Sequence, residues 1–331
     1  MTVEIREVED ERWDRYVERS AATVFHRSGA LDAIRGETGD ALHRLVGYRG
    51  EEPVGILPLF VRTVAGTTVA FSPPPDLLLP YLGPALLTPP GCKPSKAERR
   101  HGVFVDAATE WLHRVYGPAY VHLRSGTRYT DPRPLSWNGF RIRPKHTYSL
   151  DTTRSREELL STFSSDARRN VRGDEDVDCR IEVGDREAIR AIVEQVAARY
   201  RDQGESYPLD PGFVTALYDG LTPERFRPYA CYRDGELIGG MLAPRDDRTV
   251  YRWQGGAKPD VELPVNDLLD WRIITDAVDD GLAEYDLVDA DTRRLNGYKA
   301  KFNPALRPYY EMEWGRAHTR LLAGAYRRLR Y

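Results

Sequence analysis

A hairpin written twice constrains this chain most. Residues 45–57 read LVGYRGEEPVGIL and residues 229–242 read YACYRDGELIGGML. Tyr48-Arg49 recurs as Tyr232-Arg233, and Val54-Gly55 as Ile238-Gly239; both offsets, 232 − 48 and 239 − 55, are 184. In each copy an apolar run, a polar turn with glycine (Gly50; Asp234-Gly235) and a second apolar run spell a β-hairpin. Two such hairpins at one offset predict a duplicated module.

The flanking sequence repeats in outline. After the first hairpin it predicts an extended segment at 67–71 and a proline-rich loop. A helix over 102–116 then ends near Gly117, before an apolar strand at 119–123. After the second it predicts a strand at 249–255, a helix at 266–280 and a strand at 284–288. That helix lines up Leu268, Leu269, Ile273, Ala277 and Val278 on one face, with Asn266 as N-cap and Gly281 as C′. Each half opens with a strand, TVEIREV or CRIEV, followed by two helical stretches, 10–19 and 28–36 or 186–201 and 211–220. The expected architecture is α/β with a mixed sheet, in two domains, 1–150 and 151–331; the length of 331 residues also exceeds one typical domain. The tail 316–330 reads as a basic amphipathic helix that packs on the second module, the alternative being contact with an anionic membrane surface or tRNA.

Composition narrows the chemistry. Forty-eight basic residues against 51 acidic ones exclude a generally basic nucleic-acid binder, so no DNA partner is expected and any RNA contact is a local patch. Cys92, Cys179 and Cys231 are far apart, without a CxxC pair. The charged N-terminus has no apolar signal core, and no run is long enough to span a bilayer, so the expected location is the cytoplasm. The seven histidines form no HExxH, and neither a GxSxG elbow nor a phosphate-binding glycine loop is present. No metal site is expected. What remains is group transfer by positioning and electrostatics.

The order strand, helices, hairpin, strand, helix, strand is that of the GNAT acyltransferase fold. Five segments resemble the FemABX aminoacyltransferases and their GNAT-like relatives: FHRSGALDAI (25–34), SPPP with YLGP (72–75, 81–84), HTYSLD with FSSDARRNVR (146–151, 163–172), GLAEYDLVDA (281–290) and NGYKAKFNP (296–304). Tyr298 and Asn303 depart from that family's Phe-Lys-x-x-Phe-Gly motif, and no long coiled-coil arm is present. The resemblance implies two tandem GNAT-like domains. It also implies transfer of an aminoacyl or acyl group to a primary amine, on a small molecule or a cell-envelope (peptidoglycan-like) precursor. The donor would be a co-substrate, aminoacyl-tRNA or acyl-CoA, with no permanently bound cofactor. WQGGAKPDVELPVN (253–266) does not match the loop that holds pyrophosphate in acetyl-CoA-binding GNAT domains.

Acyl transfer needs a positive group where the oxyanion develops, a route for the amine proton, and alignment of the reactants. Lys299, between Tyr298 and Phe302, is the candidate for the first role, and the resemblance assigns that role to the motif lysine; a solvated surface lysine is the alternative. Asp286, near a strand end, is the candidate to accept a proton or orient the amine, against a purely structural hydrogen bond; Asp289 and Asp291 follow too closely for the sequence to choose. Arg168, Arg169 and Arg172 suit a phosphate-bearing substrate, or form a solvated helix face with Asp166, Asp174 and Glu175. Trp253, Gln254, Tyr298, Lys301 and Phe302 complete the expected substrate contacts, and Arg293, Arg294 and Arg307 would extend a positive rim. The competing reading is a non-catalytic module that binds a nucleotide-linked ligand or RNA, and peripheral contact with the inner membrane face is a further expectation.

Overall fold

The computed structural model describes residues 2–172 and 178–315; the expected tail helix at 316–330 lies outside them. In chain order the elements are β1 (Glu4–Glu7), α1 (Asp10–Glu18), α2 (Ser28–Thr38), β2 (Ala41–Arg49), β3 (Glu52–Val64), β4 (Thr67–Ser72), β5 (Ala85–Leu86), α3 (Pro94–Tyr116), β6 (Tyr120–Arg124), α4 (Arg133–Trp137) and β7 (Arg141–Asp151). There follow α5 (Arg156–Thr162), α6 (Ser165–Arg172), β8 (Arg180–Val183), α7 (Arg186–Asp202), α8 (Pro211–Leu221), β9 (Phe226–Arg233), β10 (Glu236–Pro244), β11 (Thr249–Tyr251), β12 (Gln254–Ala257), α9 (Val265–Asp279), β13 (Glu284–Asp286), α10 (Arg293–Lys299) and β14 (Ala305–Gly315).

The chain forms two compact units. Of the described residues, unit 1 holds 2–75, 79–145 and 308–315, and unit 2 holds 76–78, 146–172 and 178–307. The division differs from the expected split at 150, because the last strand returns its residues from Pro308 to unit 1. There Glu311–Gly315 pair antiparallel with β6. In unit 1 the strand order is β1-β2-β3-β4-β6-β14, with β4 and β6 parallel and β5 added to β3. Helix α3 covers this sheet with Phe104, Val105, Ala108 and Leu112. It starts at Pro94, eight residues earlier than the pattern suggested, because Pro94 fits the first helical position and the polar run after it is simply solvated; Gly117 ends it in the left-handed region as expected.

The repeat has a physical content. The β2–β3 register skips Val54 and the β9–β10 register skips Ile238, so each hairpin carries one bulge at the same place in the 184-residue repeat. The glycine after each bulge makes room for a helix. A Cβ on Gly55 would lie 2.6 Å from the Phe104 ring of α3, and one on Gly239 would lie 2.6 Å from Val265 Cγ1 of α9.

Unit 2 departs from unit 1 where it matters for function. In unit 1, β4 pairs with β3 along one edge and β6 along the other. In unit 2 the corresponding stretch, 249–257, is shared out. β11 pairs in parallel with β13 and keeps a single bridge, Val250 to Arg245, beyond the end of β10; after Arg252-Trp253 the chain joins β10 as β12. The expected single strand over 249–255 is therefore two, and the sheet opens between them. Gly255, at φ +144°, permits the crossing: a Cβ there would lie 2.1 Å from the Gly240 carbonyl oxygen. Beneath the opening lies an apolar core that includes Phe163, Met241, Leu269, Ile273, Tyr285, Leu287 and Phe302.

Candidate active site

The opening in unit 2 is bordered by the end of β13, the β11–β12 corner and the Tyr298–Phe302 segment. β13 stops at Asp286 because that buried carboxylate turns the chain. It accepts hydrogen bonds from Thr147 Oγ1 (2.6 Å) and from the Val288 amide (2.8 Å). Val288 and Asp289 follow at φ +48° and +64°. Two consecutive non-glycine residues in the left-handed region need support from the surroundings, and Lys299 provides it. Its Nζ donates to the Val288 carbonyl and to the Asp289 carbonyl (2.6 Å). Lys299 is only 4 % exposed, so the solvated-lysine alternative is set aside. Burial lowers its pKa to about 8, helped by the nearby Arg252 and opposed by Asp289, Asp270 and Asp286.

Arg252 was not singled out from the sequence, where it reads as one more residue of a continuous strand. It stands at the corner where the strand divides. Its amide donates to the Asp286 carbonyl (2.8 Å) and its Nε to Asp270 Oδ1 (2.7 Å). Asp270, fully buried on α9, also accepts from the hydroxyls of Tyr285 (2.5 Å) and Tyr298 (2.5 Å). Burial and the Asp270 carboxylate raise both tyrosines well above their ordinary pKa, so they are neutral donors. Burial opposes the charged form of Arg252, and its pairing with Asp270 favours it.

The other expected site residues fall into three groups. Tyr298 and Lys301 join the cluster: Lys301 pairs with Asp267, and its ammonium sits 4.1 Å from the centre of the Tyr298 ring. Phe302, expected at the substrate, is fully buried and packs edge-on against Phe163 and Tyr298, so it is part of the floor of the site. Trp253 is likewise buried, against Phe226, and donates to the Leu78 carbonyl (2.8 Å). Gln254 accepts from Tyr207 (3.1 Å). The arginine cluster does not act as one group. Arg168 Nη1 donates to the carbonyls of Ser161 and Phe163 at the end of α5, Arg169 forms an exposed pair with Asp166, and Arg172 is exposed. Asp289 and Asp291 shape the loop, Asp289 accepting from Thr292 Oγ1 and Asp291 holding His146. Asn266 does not cap α9; its side chain accepts from the Ala257 amide instead.

Among the described residues no group of His, Cys, Asp or Glu could hold a metal ion, and no helix is long and apolar enough to cross a membrane.

Comparison with known proteins bears on the fold that carries this site. Residues 161–300 match the family described as acetyltransferase (GNAT) domain. No curated protein matches the chain. Among solved structures it is similar to FemX, at TM-score 0.74 and 13% identity, covering 96% of this chain and 98% of that one. It is also similar to the C-terminal domain of a putative lysylphosphatidylglycerol synthetase from Agrobacterium fabrum, at TM-score 0.56 and 15% identity over 95% and 94% of the two chains. A tandem GNAT protein from the clavulanic acid biosynthesis pathway aligns at TM-score 0.51 and 12% identity over 94% and 98%. At these identities the likeness is one of fold, and the matched domain contains Arg252, Asp270, Asp286 and Lys299. Residues 161–300 thus match the acetyltransferase (GNAT) domain family, and the chain as a whole shares the fold of FemX and of the tandem GNAT protein.

Proposed function

We propose that unit 2 transfers an aminoacyl or acyl group to a primary amine, with unit 1 as a companion GNAT-like module, and that the acceptor is a cell-envelope precursor. The observation that carries this reading is the buried ammonium of Lys299 beside an opened sheet. In the reaction the amine nitrogen attacks the activated carbonyl, and charge builds on the carbonyl oxygen. With the C–N bond made, the carbonyl re-forms as the ester or thioester bond breaks, and the proton lost by the nitrogen ends on the leaving oxygen or sulfur. Two of the three Nζ hydrogens of Lys299 point at the carbonyls of Val288 and Asp289. The third is left to meet the developing oxyanion, in a setting of low dielectric where one such donor is worth roughly 10²–10³ in rate.

The donor is a co-substrate, and the first turn of α9 favours aminoacyl-tRNA over acetyl-CoA. A helix N-terminus attracts phosphate through its free amides and positive end. Here Asp267, in that turn, is buried and takes Asn170 Nδ2 (2.6 Å) and the Lys301 ammonium. A carboxylate fixed in this turn weakens the pull of the helix end on a pyrophosphate, an effect that Lys301 offsets in part. The test is incubation of the purified chain with aminoacyl-tRNAs, acyl-CoAs and amine acceptors, following amide formation by mass spectrometry. Absence of transfer from every donor would overturn the reading.

The pH dependence has a definite sign. Lys299 is cationic below about 8 and loses its proton as pH rises through that value. The transfer rate with a pre-bound acceptor should therefore carry a falling limb near pH 8. The residual rate of Lys299→Met should lack that limb; a limb of unchanged position in the variant would assign it to another group.

A further inference from the structure

We infer that Arg252 is an acceptor-binding residue, and that it takes a carboxylate carried by the amine substrate. The inference rests on the proposed acyl transfer. Arg252 Nε is locked on Asp270, which fixes the plane of the guanidinium, and the ring of Tyr298 lies along it at 5.4 Å. Its two Nη groups donate to no described residue, yet the side chain is only 15 % exposed. A buried arginine with one edge paired and its fork open is arranged for a planar anion with two oxygens. The fork is on the same corner as Lys299, close enough for its charge to act on that ammonium.

Charge selects among anions. Arg252 and Lys299 stand among Asp270, Asp286 and Asp289, a balance that opposes a dianionic phosphate more strongly than a single carboxylate held by the guanidinium fork. The carboxyl group of the donor is consumed as the activated acyl group, so the free carboxylate belongs to the acceptor. The acceptor class is then an amino-acid or peptide amine bearing a carboxylate, in contrast to a simple amine.

A matched pair tests this: Nα-acetyl-L-lysine and N-acetylcadaverine carry the same primary amine and differ by one carboxylate. With the full chain and the best donor, the wild type should use the first at least tenfold more efficiently in kcat/KM, through KM. Arg252→Lys keeps the charge and loses the fork; its kcat/KM should fall much further on Nα-acetyl-L-lysine than on N-acetylcadaverine, bringing the two acceptors within about threefold of each other. Equal loss on both acceptors would mean a structural role only, and an undiscriminating wild type would overturn the inference. Calorimetric binding of the same two compounds to wild type and Arg252→Lys reads the carboxylate contact without turnover. If no transfer occurs but Nα-acetyl-L-lysine binds and Arg252→Lys weakens it tenfold, the acyl-transfer reading fails and the carboxylate site stands. If Nα-acetyl-L-lysine does not bind the wild type, the inference fails.

Discussion

Lys299→Met should lower acyl transfer by about 10²–10³-fold while leaving circular dichroism and acceptor KM close to those of the wild type. Methionine has nearly the length of lysine and fills the same buried channel, so packing against the core is kept and the ammonium alone is lost. The Val288 and Asp289 carbonyls lose their donor, a cost of about 1–3 kcal/mol. Removal of a buried charge offsets part of it, since desolvation is what depresses the lysine in the first place. A rate within a few-fold of wild type would show that the ammonium serves only to hold the Val288–Asp289 turn. Comparing kcat with urea unfolding for the one variant separates the two roles.

Asp270→Asn should be the most damaging conservative change for stability. The carboxylate is fully buried and accepts three hydrogen bonds, from Arg252 Nε, Tyr285 and Tyr298. Asparagine offers one acceptor oxygen and a donor group, so at least one of these donors meets another donor, and Arg252 is left as a buried cation without its partner. Breaking a buried pair from one side costs roughly 3–5 kcal/mol. The expected result is a shift of the urea midpoint of that size, with a parallel fall in melting temperature. A loss under about 1 kcal/mol would show that solvent reaches the cluster and replaces the carboxylate.

The duplicated hairpin was legible because its cause is local: a bulge and a glycine are set by neighbours in sequence, and both recur at the same offset. The ends of helices with glycine C-caps were legible for the same reason. The break at Arg252-Trp253 was not, since TVYRWQG has a continuous strand pattern and the departure to β10 depends on a bend at Gly255 and on which edge each half finds. Arg252 stayed hidden with it. Lys299 and Asp286 were found through the family-like segments, but the sequence did not show that the lysine side chain reaches back to the turn begun by the aspartate. Arg168 misled, because charge spacing along a helix says nothing about carbonyls that the preceding helix leaves in reach. Asn266 misled in the same manner, its amide being used by a strand rather than by its own helix.

The return of residues 308–315 to unit 1 means that no single cut yields two whole halves. A fragment ending at residue 150 would leave β6 paired with β4 on one side and bare on the other, where Glu311–Gly315 belong. Such an open edge invites pairing with other chains. The corresponding C-terminal piece would carry an orphan strand. The protein is therefore expressed, swapped or fused as one piece, and a shortened unit 1 recovers its missing edge only if residues 305–315 are reattached through a new linker.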